Sequence, residues 1–190
     1  MTSHARLATV ADIPPAARVL ARAFDEYPWT RWSIPADGYA QRLEALQDIY
    51  LRHALRCGLV LVSEDAHGVA ALLPPDAPAP PHEDQARIAE LLGERLAALV
   101  SAELPAAPSG AWELATLGVH PRSWGRGCGS ALLAGALQEV DRSEARTVSL
   151  ETSDPRNVAL YERHGFGLTA TTHIPDGPVV HSMVRPTTEA

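Results

Sequence analysis

Residues 117–130 read Leu117-Gly118-Val119-His120-Pro121-Arg122-Ser123-Trp124-Gly125-Arg126-Gly127-Cys128-Gly129-Ser130. A strand is predicted over 111–119, and apolar positions at helical spacing predict a helix from 130 to about 142. Three alternate glycines between them let the backbone approach a bulky anion, and the amides and dipole of the helix start favour its charge. The segment therefore indicates a pyrophosphate site with Arg126 nearby, although a tight turn alone would also use glycine.

Composition sets the class of protein and of partner. A chain of 190 residues with 46% apolar residues fits one domain with a sizeable core. Acidic residues exceed basic ones by 23 to 16, and the net charge of −7 disfavours a broad nucleic-acid binder. Every basic residue is an arginine, which excludes a phosphate-loop lysine, a Schiff-base lysine and a lysine base. The composition leaves room for a local basic patch but not for a broad basic surface.

The cysteines, the histidines and the apolar segments of the sequence indicate whether a metal site, a disulfide or a membrane segment is expected. Cys57 and Cys128 are too few for a disulfide framework or a CxxC metal site, and each is expected to be a small buried hydrophobe. The eight histidines show no HxxxH or HxH spacing, so no metal site is predicted. Residues 1–8 lack the apolar run of a signal peptide, and no segment is long enough to span a membrane. The cytoplasm is the predicted location.

The rest of the pattern predicts a mixed α/β sheet under one core. Residues 27–32 are predicted to be a loop because Pro28 ends the first helix, and the proline-rich stretch 74–81 is predicted to be a surface connection. Strands are predicted at 6–8, 59–63, 69–73, 111–119, 147–152, 166–174 and 179–184, and further helices at 13–24, 38–56, 88–99, 130–142 and 155–164.

A glycine turn that binds an anion is also typical of dinucleotide-binding proteins. The spacing here is G-x-G-x-G, with Ser130 where a dinucleotide motif would carry its third glycine, and the turn lies late in the chain. Both facts disfavour a dinucleotide oxidoreductase.

The sequence resembles the Gcn5-related N-acetyltransferase (GNAT) family in two motifs. Leu117–Pro121 leading into 125–130 is similar to the family's acetyl-CoA motif, and Leu150-Glu151-Thr152-Ser153, Asn157 and Tyr161–Phe166 are similar to the motif that follows it. Short segments elsewhere are similar to the puromycin N-acetyltransferase branch, namely Arg6-Leu7-Ala8-Thr9, Ala23-Phe24, Tyr27-Pro28, Leu114-Ala115-Thr116 and Pro155-Arg156-Asn157. Departures are Trp124, where the family usually has Gln or Arg, and Glu113, where that branch is apolar.

The resemblance implies both a fold and a function. It implies one N-acetyltransferase domain over 1–190, with the acetyl-CoA-binding core at about 111–166. Its sheet would have six to seven strands, flanked by helices, with two central parallel strands splayed apart. The reaction would transfer acetyl from the cosubstrate acetyl-CoA to a primary amine of a small molecule, such as the aminonucleoside puromycin, by direct attack. Alternatives are a protein N-terminus, another metabolite amine, or a non-catalytic acyl-CoA-binding domain. The protein would be a monomer or homodimer.

The resemblance also implies the cofactor-binding residues. The pantetheine arm would pair with backbone groups of Leu117 and Val119, and Asn157 would position it. Trp124 at the first motif position either loses a polar contact to the phosphate or packs over the adenine. The expected cofactor-binding set is Leu117, Gly118, Val119, Trp124, Gly125, Arg126, Gly127, Cys128, Gly129, Ser130 and Asn157.

Three side chains are candidates for moving protons. Tyr161 is expected to be the acid that protonates the leaving thiolate, because its position matches the family and a phenol is protonated at neutral pH. Glu113 and Glu151 are candidate bases, directly or through a water. By period two, Glu113 is expected to share a strand face with Leu117 and Val119. Each of these residues also has a purely structural interpretation. Tyr161 could simply pack in the core, and each glutamate could face solvent at a strand edge.

The amine side is predicted from aromatic residues. Tyr27, Trp29 and Trp32, with Tyr50, could stack on a planar or sugar-bearing amine, or could pack between two helices. An acidic chain also suits an amine that arrives as a cation.

Overall fold

The computed structural model describes residues 5–143 and 147–186, so the first four residues of the N-terminal stretch considered above lie outside it. Its centre is a seven-stranded sheet in the order β1-β2-β3-β4-β5-β7-β6. The strands are β1 (Ala5–Leu7), β2 (Leu59–Ser63), β3 (Gly68–Leu73), β4 (Trp112–Val119), β5 (Val148–Thr152), β6 (Gly167–His173) and β7 (Val179–Arg185). The helices are α1 (Ile13–Ala23), α2 (Pro28–Ser33), α3 (Tyr39–Cys57), α4 (His82–Leu92), α5 (Leu96–Val100), α6 (Cys128–Val140) and α7 (Pro155–Glu162).

Helices cover both faces of this sheet. One apolar cluster joins α6 and the Tyr161 end of α7 to β3, β5 and β7, with Leu133 and Met183 fully buried. A second cluster joins α1 and α3 to β2 and β3 through Leu20 and Leu51. The mixed α/β fold with a helix-flanked, seven-stranded sheet is confirmed. No helix within the described ranges is long and apolar enough to cross a membrane.

The two central strands diverge shortly after they meet. β4 and β5 form the parallel pair of the sheet, but their ladder contains only Trp112 with Val148 and Glu113 with Ser149. β4 then continues to Val119 without pairing to β5. The predicted splay is therefore present, and it opens a cleft between the ends of these strands.

The aromatic segment after α1 is helical, so the predicted loop at 27–32 is wrong. The first helix ends at Ala23, five residues before Pro28, so Pro28 does not end it; it occupies the first turn of α2, where a missing N–H costs nothing and the fixed φ is suitable. The predicted helix at 88–99 is likewise two helices. α4 ends at Leu92 because Gly93 takes a φ of +50°, and α5 begins at Leu96.

A bulge in β4 reverses the expected alternation of its side chains. Leu72 pairs with Leu114 but Ala71 pairs with Thr116, so Ala115 is an extra residue. The expectation that Glu113 shares a face with Leu117 and Val119 is therefore wrong. Past the bulge, the side chains of Leu117 and Val119 pack on the face of the sheet that α6 covers.

Glu113 lies on the opposite face of the sheet. Its register partner Leu73 alternates with Ala71 and Val69, which pack against α1 and α3. Gly118 is on this face too, since a Cβ there would lie 2.6 Å from Leu20 of α1.

Candidate active site

A cleft of about 450 Å³ lies at the point where β4 and β5 diverge. Its walls come from the end of α1, the end of β4, the glycine turn with the start of α6, and α7. Ten of the eleven predicted cofactor-binding residues line it, together with Tyr27 and Tyr161, while Arg126 is absent from the lining. The lining members of the predicted set are Leu117, Gly118, Val119, Trp124, Gly125, Gly127, Cys128, Gly129, Ser130 and Asn157.

The glycine turn is shaped to receive an anion. Gly125 and Gly127 have φ values of +73° and +81°, and a Cβ on either would meet no atom within 4 Å, so open space lies in front of the backbone. Gly127 is the residue that precedes α6, and no side chain caps this helix start. Its first-turn amides therefore remain available to a ligand, and the dipole adds positive potential. These residues fit a pyrophosphate group such as that of coenzyme A.

Trp124 is held at the rim of the cleft by its own side chain. The indole Nε1–H donates to the carbonyl oxygen of Val119 over 2.6 Å, and the ring remains 56% exposed. This carbonyl is one of the backbone groups expected to pair with a pantetheine arm. A carbonyl oxygen can accept two hydrogen bonds, so the indole bond does not by itself block such pairing.

The start of α6 is tied to the end of α7. Ser130 Oγ and His164 Nε2 lie 2.7 Å apart and share a hydrogen bond. Burial, and then the charges of Arg163 and Arg185, lower the pKa of His164. The ring is therefore neutral at neutral pH. If Nε2 carries the proton, Ser130 accepts this bond and keeps its own O–H for a phosphate oxygen.

Tyr161 reaches the cleft from α7. That helix begins with Asp154, whose carboxylate accepts the amide of Arg156 at 2.9 Å, followed by Pro155 in the first turn. The Tyr161 ring is buried edge-on against Phe166, with ring centroids 5.8 Å apart.

The hydroxyl of Tyr161 has no hydrogen-bond partner among the described residues. Since no fully buried side-chain polar atom in that part of the chain lacks a partner, this hydroxyl must face the cleft. Burial, and then the neighbouring phenol of Tyr27, raise the pKa of Tyr161. The group is therefore a protonated phenol throughout the physiological range, which a proton donor requires.

A hydrogen-bond network beside Tyr161 was not anticipated from the sequence. Tyr27 accepts the backbone amide of Ser153 at 2.7 Å, and its hydroxyl lies 3.0 Å from Thr152 Oγ1. Asn157 Nδ2 donates to the same Thr152 oxygen over 3.3 Å, and the amide of Trp29 donates to Ser153 Oγ over 3.0 Å. These bonds join the start of α2, the end of β5 and α7 around the cleft. In the sequence, only the polar residues at the end of β5, Thr152 and Ser153, could have indicated these hydrogen bonds.

Glu113 and Glu151 lie near each other on one face of the sheet. Glu113 pairs in register with Ser149, and Glu151 is two residues further along β5, so both side chains project to the same side. Both are accessible to solvent, yet the surrounding protein raises the pKa of each by desolvation. The charge of Glu113 raises the pKa of Glu151 further, and the Ser182 hydroxyl, 3.5 Å away, opposes this.

The predicted aromatic residues separate into different places. Tyr27 lines the cleft, whereas Trp32 lines a second cavity beyond α2. Trp29 lines neither cavity, and its ring centroid is 5.3 Å from that of Trp32. Tyr50 is 41% exposed on α3 and lines neither cavity.

A glycine turn open to an anion at a helix start, beside two splayed strands and a protonated phenol, fits an acyl-coenzyme A-dependent transferase. The profile of the acetyltransferase (GNAT) family matches residues 26–166, and the chain belongs to this family. It is an acetyl-CoA-dependent N-acetyltransferase, and acetyl-CoA is its cosubstrate.

Three solved structures illustrate the likeness of fold. A Corynebacterium glutamicum protein, named histone acetyltransferase HPA2 and related acetyltransferase, is 24% identical with a TM-score of 0.79, covering 100% of this chain and 99% of its own. The phosphinothricin acetyltransferase of Sinorhizobium meliloti, solved with acetyl-CoA, is 16% identical with a TM-score of 0.59, covering 98% and 89%. The Escherichia coli ribosomal-protein-S18-alanine N-acetyltransferase is 17% identical with a TM-score of 0.56, covering 99% and 96%.

Proposed function

We propose that this acetyltransferase acts on the primary amine of a small molecule by direct attack. The observation that carries the proposal is the opening between β4 and β5 beside a cleft that contains the Tyr161 phenol. Glu113 and Glu151 are not among the residues that line this cleft, and they lie on the α1–α3 face of the same two strands. When bound, acetyl-CoA supplies a thioester, and the new C–N bond forms as the C–S bond breaks. The chain must then accept a proton from the amine and donate one to sulfur.

The proton acceptor is a carboxylate of the Glu113 and Glu151 pair, directly or through one water. An amine arrives as an ammonium ion, and two neighbouring negative charges attract it. Their raised pKa values bring the carboxylates closer to the range in which they exchange protons efficiently near neutral pH. Neither side chain forms an ion pair with an arginine of the described residues, so neither is held as a passive anion.

The proton donor is Tyr161. Its unpartnered hydroxyl faces the cleft and is protonated at neutral pH, so it can donate to the sulfur as the C–S bond breaks. Asn157, four residues earlier, lines the same cleft from the same face of α7 and serves to position the pantetheine arm. Leu117 and Val119 supply the backbone edge of β4 to that arm. The glycine turn holds the pyrophosphate.

The acceptor side is formed by the α2 aromatic residues. Tyr27 and Trp29 are fixed to the end of β5, and Trp32 follows one turn later. The resemblance to the puromycin branch favours an aminonucleoside as the acceptor, in which case the protein could inactivate such an antibiotic. Trp29 and Tyr50 line neither cavity, so we assign an acceptor contact to neither; the Trp29 backbone amide holds the start of α2 on Ser153.

The test is an amine panel scored by thiol release from acetyl-CoA and by the mass of the product. The panel contains puromycin, an aminoglycoside, free amino acids and a peptide with a free N-terminus. Turnover of a small amine with a mass gain of one acetyl group supports the proposal. Turnover of the peptide alone would replace it with a protein N-terminal acetyltransferase. Binding of acetyl-CoA without turnover of any amine would favour a non-catalytic acyl-CoA-binding domain.

A further inference from the structure

A serine and a histidine connect the two helices at the glycine-turn end of the cleft. Ser130 lies in the first turn of α6, and His164 follows the last residue of α7 by two positions. Ser130 Oγ and His164 Nε2 are 2.7 Å apart, and within the described ranges the serine hydroxyl has no other hydrogen-bond partner. Ser130 lines the cleft whereas His164 does not. The serine oxygen therefore faces both the cleft and the imidazole.

The backbone around His164 is held by a closed turn at the end of α7. The His164 amide donates to the Tyr161 carbonyl over 2.9 Å, and the Phe166 amide donates to the same oxygen over 3.1 Å. Gly165 between them has a φ of +86°, a conformation that suits glycine, and the Phe166 side chain is buried. The imidazole is therefore carried by a fixed backbone beside the start of α6.

The direction of the Ser130–His164 hydrogen bond decides what the cleft offers to a phosphate. A diphosphate oxygen is an acceptor only at neutral pH, and a serine hydroxyl has a single proton to donate. If Ser130 gives that proton to His164, only its lone pairs face the cleft, and they repel a phosphate oxygen. If His164 donates from Nε2–H to Ser130 Oγ, the serine proton is available to the phosphate. The two neutral tautomers of His164 thus give Ser130 opposite roles.

The groups around His164 keep this choice between tautomers open. Burial, followed by the charges of Arg163 and Arg185, lowers the pKa of His164, so the ring is neutral and carries one N–H at neutral pH. Arg185 remains in place because its guanidinium pairs with the Asp141 carboxylate over 2.8 Å. A neutral ring can switch the direction of its hydrogen bond, which an imidazolium with two N–H groups cannot do.

We propose that His164 is a positioning residue for acetyl-CoA: its Nε2–H donates to Ser130, and this orients the Ser130 hydroxyl to donate to the diphosphate. The assignment rests on the placement of the diphosphate at the glycine turn, which belongs to the proposed function. His164 does not itself line the cleft, so it acts through Ser130. Binding of the cosubstrate should therefore select the Nε2–H tautomer.

The experiment measures the affinity of coenzyme A and of dephospho-coenzyme A by calorimetry. His164→Leu removes the donor and should weaken both ligands roughly tenfold, the effect of one hydrogen bond that supports a charged group. His164→Gln keeps an N–H donor at a similar reach and should restore most of the affinity. His82→Leu is the control, because His82 is exposed on α4 and lies outside the cleft, and it should change neither affinity.

A double-mutant cycle tests whether His164 acts through Ser130. Ser130→Ala should weaken coenzyme A about as much as His164→Leu, and adding His164→Leu to Ser130→Ala should cause little further loss. Additive losses would overturn the positioning role. The ring nitrogens provide a direct readout in protein labelled with 15N-histidine, where the His164 signals are those that disappear in His164→Gln. With coenzyme A bound they should report Nε2–H, and an Nδ1–H tautomer in the complex would contradict the proposal.

A substrate that lacks the diphosphate separates this role from an effect on Tyr161. The kcat/KM for S-acetylpantetheine should be nearly the same in His164→Leu and in the wild type, and an equal loss with S-acetylpantetheine and with acetyl-CoA would overturn the assignment. Failure of the wild type to bind coenzyme A would overturn the proposed function and this assignment together. Binding that depends on His164 and Ser130, without turnover of any amine, would overturn only the proposed acetyl transfer.

Discussion

The backbone amide of Ser153 donates a hydrogen bond to the phenol oxygen of Tyr27 over 2.7 Å, although the two residues are 126 positions apart. The same hydroxyl lies 3.0 Å from Thr152 Oγ1. The bond attaches the segment between α1 and α2 to the end of β5, at the point where β4 and β5 have diverged. One tyrosine thus fixes the distance between the cofactor cleft and the acceptor side.

Tyr27→Phe should therefore destabilise the fold and slow the reaction. The ring keeps its contact with Phe24, at 5.2 Å between centroids, but the buried Ser153 amide loses its acceptor. We expect a loss of about 1–3 kcal/mol in the free energy of unfolding, measured by urea denaturation.

Tyr39→Phe is the matched control for Tyr27→Phe. Its buried hydroxyl also hydrogen-bonds, to Thr30 Oγ1 at 3.0 Å, but it does not line the cleft. Stability should fall in both variants, and kcat/KM for the amine should fall clearly only in Tyr27→Phe. Equal losses of activity in the two would contradict a positioning role for Tyr27.

Gly127→Asp should abolish the rise in melting temperature that acetyl-CoA causes. The aspartate places bulk and a negative charge in the open space in front of the turn, where the pyrophosphate is expected. Gly110→Asp is the control, because Gly110 has a similar φ of +75° and equally open surroundings but lies outside the cleft. A preserved shift in Gly127→Asp would place the cofactor elsewhere.

Glu113→Gln should distinguish the two candidate bases by its pH profile. The base must be ionised, so activity should fall as the pH drops through its raised pKa. The charge of Glu113 raises the pKa of Glu151, and its removal lowers that pKa. If Glu151 is the base, the acidic limb of kcat/KM should move to lower pH with the plateau largely kept.

If Glu113 is itself the base, the plateau for Glu113→Gln should fall by roughly 10²–10⁴. Glu151→Gln provides the reciprocal measurement. Unchanged profiles in both variants would exclude both carboxylates, including a relay through water from either.

The geometry of the glycine turn and of the cleft beside it could be predicted from the sequence, whereas the arrangement of the aromatic residues could not. The glycine turn at 125–130 is a local feature that positions its own backbone at a helix start, so residue types and spacing were enough. Asn157 and Tyr161 were placed in the cleft for the same reason, since four positions on one helix share a face. Both cysteines were expected to be buried; Cys128 is buried, but Cys57 is only partly buried and its thiol donates to the His53 carbonyl.

The wrong or missing predictions concern features that are set by contacts with another strand or helix, which the local sequence does not reveal. The extra residue Ala115 is defined only by pairing with β3, and its presence reversed the faces of Glu113 and Leu117. Pro28 was expected to end α1, which already ends at Ala23, but it begins α2, and only the packing of α2 on the end of β5 decides between a loop and a helix. The second cavity combines Trp32, Glu103 and Thr172 from three distant segments, so no spacing rule could reveal it.

The most direct test of the account is the turnover of Tyr161→Phe with a saturating amine, measured beside the melting-temperature shift caused by acetyl-CoA. The substitution keeps the ring against Phe166 and removes a hydroxyl that has no partner among the described residues. We predict that kcat falls by roughly 10²–10⁴ while the shift and the stability of the protein barely change, because the lost interaction belongs to the transition state. Wild-type turnover in this variant would contradict the assignment of Tyr161 as the acid.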